Sequence, residues 1–228
     1  MKTLMIAVVQ LMLLSLNTAQ AALYSQTLFS GSTAIPDGNP VGVTFAGNFT
    51  ADPNVGDTVA GLTLHLNVSG GYNGDLYAYL VAPNGTSVTL LNRPGVTGGN
   101  PFGYAGSGLN VTLSDAGATS IQTTAETAGA VFTGTYQAAG TLANFNGSVA
   151  DGTWTLFFAD MSAGGGQASL TGWSLDITAV PEPVNVALGL FVGLLVVNKL
   201  IRHAGGLVNL RMPNAGVSGK DSRSAFWS

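Results

Sequence analysis

The chain has 228 residues, of which only 8% are charged, with 32 glycines and no cysteine. The missing cysteine excludes disulfides, thiol catalysis and cysteine-ligated zinc. Between Ala22 and Val180 nine acids face a single base, Arg93, so this stretch repels nucleic acid and anionic lipid.

Residues 1–21 read as a secretory signal peptide. Lys2 supplies the positive start, the stretch from Leu4 to Leu16 is almost wholly apolar, and Ala19 and Ala21 sit three and one before a cut that leaves Ala22 first. A short lead-in, 22–32, precedes the working part, 33–178. There Leu62, Leu64, Leu66 and Val68 share one strand face, with Thr63, His65 and Asn67 on the other. Further strands are predicted at 41–49, 76–81, 86–91 and 109–113, and the alternation returns around Trp154, Leu156 and Phe158 and around Trp173, Leu175 and Ile177. Turn signals separate them: Pro36-Asp37-Gly38, Asn73-Gly74, Pro83-Asn84-Gly85, Asn146-Gly147 and Asp151-Gly152. No helical periodicity competes before Pro181. About eight short strands with such turns predict an all-β, jelly-roll-like β-sandwich.

A different segment closes the chain. Val180-Pro181-Glu182-Pro183 lies in a linker, 179–185, where two prolines predict extended backbone open to a processing enzyme. The apolar run 186–202 follows. Counted from Val184 to Ile201 it holds 18 residues, about 27 Å of helix, which reaches across a bilayer core of about 30 Å. Lys199, Arg202 and Arg211 come after it, and the positive-inside rule then puts the β body outside. The expectation is an exported protein, at the cell envelope or beyond it, anchored at least transiently by a transmembrane helix, with a polar tail at 203–228.

Several motifs in order resemble the P domain (P/Homo B domain) of proprotein convertases and bacterial subtilisin-like proteases. They run from Ile35-Pro36-Asp37-Gly38-Asn39-Pro40-Val41-Gly42-Val43 through Gly74-Asp75-Leu76 and Leu80-Val81-Ala82-Pro83-Asn84-Gly85-Thr86. Leu113-Ser114-Asp115-Ala116, Phe132-Thr133-Gly134-Thr135-Tyr136 and Gly152-Thr153-Trp154-Thr155-Leu156 follow, and Ala159-Asp160 with Leu170-Thr171-Gly172-Trp173 ends the set. The set covers roughly 33–178; Gly70 and Gly71 stand where that family often has a histidine before Gly-Asp-Leu. The Val-Pro-Glu-Pro tail resembles a PEP-CTERM sorting signal, which implies an exosortase-type enzyme as partner, although 26 residues follow Arg202.

The chemistry expected from these residues is modest. Among residues 22–180 the only histidine is His65, on the polar face of a strand, and no Gly-x-Ser-x-Gly elbow is present, so a serine-protease triad is not expected. Acids in Gly- and Asn-rich loops suit a hard cation, and the resemblance adds calcium, with the motif-matched Asp75, Asp115 and Asp160 as candidate ligands. The bland alternative is that these carboxylates accept hydrogen bonds from turn amides. Trp154 and Trp173 alternate in phase with apolar neighbours and read as core. Tyr77 and Tyr79 lie opposite Leu76 and Leu80 and are the predicted recognition residues, with Tyr72 and Tyr104 as further candidates. Five Asn-x-Ser/Thr sequons, at Asn48, Asn67, Asn84, Asn110 and Asn146, follow from the Asn- and Thr-rich composition. The predicted function is a non-catalytic module that binds protein or polysaccharide; the alternatives are an accessory to a separately encoded subtilisin-like protease and a cryptic hydrolase.

Overall fold

The computed structural model describes residues 21–51, 57–181 and 183–208. Nine strands follow one another: β1 (Ala22–Ile35), β2 (Asn39–Phe49), β3 (Asp57–Gly70), β4 (Leu76–Val81), β5 (Ser87–Asn92), β6 (Gly108–Leu113), β7 (Phe132–Tyr136), β8 (Gly152–Asp160) and β9 (Ala168–Pro181). Short 3-10 turns at Asn73–Asp75 and Leu142–Phe145 interrupt them, and one helix, α1 (Pro183–Val208), comes last. The strands form a five-stranded sheet, ordered β1-β9-β3-β6-β7, and a four-stranded sheet, ordered β2-β8-β4-β5. All pairings are antiparallel except β6 with β7.

The predicted all-β sandwich is therefore what the chain forms, and alternation is what stacks its sheets. In β3 Leu64 and Leu66 are fully buried while Thr63 and His65 face outward; β8 buries Trp154, Leu156 and Phe158 from the facing sheet. Trp154 and Trp173 both lie in the core, as expected, at 0% and 1% exposure. The Trp154 indole donates to the Ala150 carbonyl and meets Phe145 edge-on, with centroids 5.2 Å apart. Burying such side chains supplies most of the folding drive, at about 25 cal/mol per Å² of apolar surface.

Turn chemistry fixes the β4–β5 hairpin. Gly85 donates to the Ala82 carbonyl and sits at φ +86°, where only glycine is free of strain, while the Asn84 carboxamide oxygen accepts from Thr86 N–H. Side-to-side contacts close the sandwich. Gln26 on β1 bonds the Asn48 carbonyl and the Thr50 amide, which covers the outer edge of β2. Ala139 and Gly140 donate to β5 carbonyls and cover that edge too. Covered edges suppress strand addition by other chains.

The ends differ from expectation. Residues 22–35 are a strand rather than a lead-in, and half-exposed Ser, Thr and Gln positions on this sheet edge account for its weak sequence signal. Val180 and Pro181 are the last residues of β9, paired with Thr58 and Asp57, so half of the expected accessible sorting motif lies inside a sheet. Pro183 starts α1, where its missing N–H costs nothing. Among the described residues no helix is long and apolar enough to cross a membrane. This corrects the expected transmembrane anchor and the membrane-anchored placement that rested on it. The expected signal segment, apart from Ala21, and Glu182 of the sorting motif lie outside the described residues, as do 209–228 of the tail.

Candidate functional site

The outer face of the four-stranded sheet carries a group of three aromatic rings. Strand register builds it in rows across β2, β8, β4 and β5. One row reads Thr44, Phe157, Tyr79, Thr89; the next reads Ala46, Thr155, Val81, Ser87. On the other side of the aromatic row stand Ala159, Tyr77 and Asn92. Tyr79 and Phe157 stack with centroids 4.7 Å apart and planes 17° from parallel, and Tyr77 meets both edge-on at 6.2 and 6.4 Å. Their faces thus support one another. The Tyr77 and Tyr79 hydroxyls have no hydrogen-bond partner among the described residues. None of the described residues in these rows carries a charge.

Gly42 makes room for this group. It sits at φ +62°, and a Cβ there would stand 2.6 Å from the Phe157 ring and 2.3 Å from the Phe158 carbonyl oxygen. Tyr77 and Tyr79 are where alternation placed them. Phe157 was missed because it lies between two apolar residues, Leu156 and Phe158, so its run reads as continuous core. The predicted partners Tyr72 and Tyr104 are elsewhere: Tyr104 packs on Gly95, and the Tyr72 hydroxyl reaches the Gly103 carbonyl, both within loops at one end of the sheet.

The outer face of the five-stranded sheet is built differently. His65 Nε2 lies 2.9 Å from Asp176 Oδ2, and its Nδ1 lies 3.0 Å from the Thr112 hydroxyl. With Nε2–H donated to the carboxylate, Nδ1 accepts from the threonine. The Asp176 carboxyl is held below its ordinary range by hydrogen bonds from His65 and Ser25 that outweigh its desolvation. Ser25, Asp176, His65 and Thr112 thus tie β1, β9, β3 and β6 together. Beside them a shallow groove of about 290 Å³ is lined by Thr63, Asp115, Asn146, Asp176 and Thr178 among others.

Acids gather where β8 ends and β2 and β4 begin. Asp160 is fully buried; its Oδ1 accepts from the Ser162 amide, and its Oδ2 has no hydrogen-bond partner among the described residues. The Arg93 guanidinium bonds Asp75 at 3.3 Å and the Ser162 hydroxyl at 3.0 Å. Burial pushes the Asp75 carboxyl up, with hydrogen bonds from Ser162 and Arg93 opposing it. Burial also raises Asp160, reinforced by the negative charges of Asp75 and Asp37. Glu126 is raised by burial too, although Asn73 donates to it at 2.7 Å.

The calcium set predicted from sequence does not assemble. Asp75 and Asp160 come together, but Arg93 already serves Asp75. Asp115 lies at the end of β6 in the other sheet, and its two oxygens accept from the Leu142 and Ala143 amides. It is a turn cap, the bland alternative for these acids. Among the described residues no group of three or more His, Asp or Glu side chains is arranged to hold a metal ion. Calcium draws its six to eight oxygens from one place, and these three carboxylates are not brought to one place.

No family model matches the chain, and no curated protein matches it in sequence. Among solved structures it is similar to a chain of the Aeromonas sobria serine protease crystallised with the chaperone ORF2, with 17% identity and a TM-score of 0.44 over 76% of this chain and 29% of that one. It is also similar to the serine protease of Aeromonas sobria alone, with 18% identity and a TM-score of 0.42 over 69% and 27% of the two chains. A third likeness is to FLHE, with 13% identity and a TM-score of 0.36 over 72% of this chain and all of that one. The chain spans less than a third of the length of the two Aeromonas sobria chains.

Proposed function

We propose that this chain is a non-catalytic recognition module of P/Homo B-like design whose ligand surface is the outer face of the four-stranded sheet. One observation carries the reading: Tyr77, Tyr79 and Phe157 form a mutually supported aromatic group at the surface, with two hydroxyls left free for a ligand. Tyrosine anchors of this kind offer contact area at low entropic cost, together with a polar handle. The absence of chemistry is part of the proposal. His65 is read here as a tie between strands, paired with Asp176 and Thr112 on neighbouring strands of the other outer face.

A second reading draws on the ordered motif set between Ile35 and Leu175: an accessory module for a separately encoded subtilisin-like serine protease. The two readings divide on a surface-mapping experiment. Wild type, Tyr77→Ala/Tyr79→Ala and His65→Gln/Asp176→Asn proteins are immobilised, then exposed to a subtilisin-like protease and to a set of polysaccharides. Loss of binding in the tyrosine variant alone supports the first reading. Capture of the protease equally by all three proteins replaces it with the second.

A further inference from the structure

From that reading of the four-stranded sheet, we infer that the ligand is a neutral polysaccharide. The chemistry of the face selects it. Around Tyr79 and Phe157 the register sets Thr44, Thr89, Thr155 and Asn92, so the polar groups available are hydroxyls and one carboxamide. Such groups donate and accept without charge, which matches a ligand made of hydroxyls. A partner of opposite charge finds no counter-charge among the described residues of this face. A negatively charged glycan is disfavoured further, because nine acids outnumber the one base between Ala22 and Val180. Arg93 itself is spent on Asp75 and Ser162 at the loop end of the sheet.

The ring geometry adds orientation. Tyr79 and Phe157 stack on each other, and Gly42 lies against the tip of the Phe157 ring, so one face of each ring is committed within the protein. The ligand meets what this stack leaves outward, together with the Tyr77 and Tyr79 hydroxyls. Recognition proceeds by hydrogen bonds to sugar hydroxyls across an apolar floor, more than by a sugar lying flat on an open ring. A rigid floor of this sort loses little entropy on binding.

The test is affinity electrophoresis of the full chain in native gels containing hydroxyethylcellulose, glucomannan or laminarin, with alginate and polygalacturonate as anionic counterparts. Wild type is retarded by at least one neutral glycan and by neither anionic one. Tyr77→Phe/Tyr79→Phe keeps the ring packing but binds about tenfold more weakly, as expected for the loss of two neutral hydrogen bonds. Tyr79→Ala abolishes retardation. Thr112→Val, on the opposite face, runs like wild type and controls for folding. Retardation by anionic glycans alone overturns the neutral-glycan inference. So does binding of a protein through the tyrosines without any glycan, although that result keeps the recognition face. Retardation by a neutral glycan that ignores both tyrosine variants sinks the inference and the proposed face together.

Discussion

The two outer faces of the sandwich obey the same alternation rule and end in opposite states. On the five-stranded sheet Ser25, Asp176, His65 and Thr112 satisfy one another across four strands. On the four-stranded sheet the rings of Tyr77, Tyr79 and Phe157 hold each other in place, and the two tyrosine hydroxyls are left without a partner among the described residues. The first face uses its polar groups to fix strand register. The second uses apolar packing for order and keeps its polar groups available. A polar residue at the surface thus signals function less by its type than by whether the protein has already consumed its hydrogen bonds.

This contrast breaks most visibly at Tyr79. Replacement by alanine removes a stacked partner and a free hydroxyl, and the expected cost is about a hundredfold in ligand affinity, the size of an aromatic hot spot. His65→Gln, tested in the same binding assay, leaves affinity unchanged. If His65→Gln abolished binding and Tyr79→Ala did not, the roles of the two faces would be reversed.

Arg93 tests whether the acidic end of the four-stranded sheet is structural. Arg93→Met leaves Asp75 buried without its cation and next to Asp160. The expected loss is about 2 kcal/mol in urea unfolding, reduced from that of a fully buried pair because the Arg93 side chain remains 29% exposed. Ligand affinity stays within about twofold of wild type, because this end lies outside the aromatic rows.

Smaller effects come from the opposite face and from pH. Removing the His65–Asp176 pair as His65→Gln/Asp176→Asn costs no more than about 1 kcal/mol, since both side chains are partly exposed. Chelator leaves the melting temperature unchanged, because the acids predicted to hold calcium are separated between the two sheets. The pH dependence has a definite sign. Asp75, Asp160 and Glu126 have raised carboxyl pKa values in the folded state, so folding takes up protons. Stability from these groups grows as pH falls through their raised folded-state values toward the ordinary carboxylate value of about 4. Asp176 acts in the other sense: its pKa is depressed, so its contribution is present above about 4 and is lost as pH falls through the folded value. A melting temperature that rises as pH is lowered into the mildly acid range, then declines in stronger acid, is the expected profile. A midpoint that falls steadily from pH 7.5 downward contradicts it.

Much of this was legible in the sequence, for reasons that are local. Leu76–Val81 appears as β4 with its predicted bounds because Leu, Ala and Leu alternate with Tyr, Tyr and Val over a half-buried strand. The hairpin at Pro83-Asn84-Gly85 was readable because its chemistry lies within five residues. Relations between distant residues were not readable. β7 has a glycine at its centre and pairs in parallel with β6, so neither alternation nor a hairpin turn announces it. Asp115 and Asp75 look alike as loop acids, yet one caps the turn at Leu142 and the other meets an arginine 18 residues on. Phe157 joins the tyrosines only because β8 runs beside β4.

The most direct test is a two-dimensional NMR titration of the full chain with glucomannan oligosaccharides. The backbone amides of Tyr77, Tyr79, Thr89 and Phe157 should shift and saturate together, while those of His65, Thr112 and Asp176 stay fixed. Saturating shifts confined to the His65 face would contradict the account.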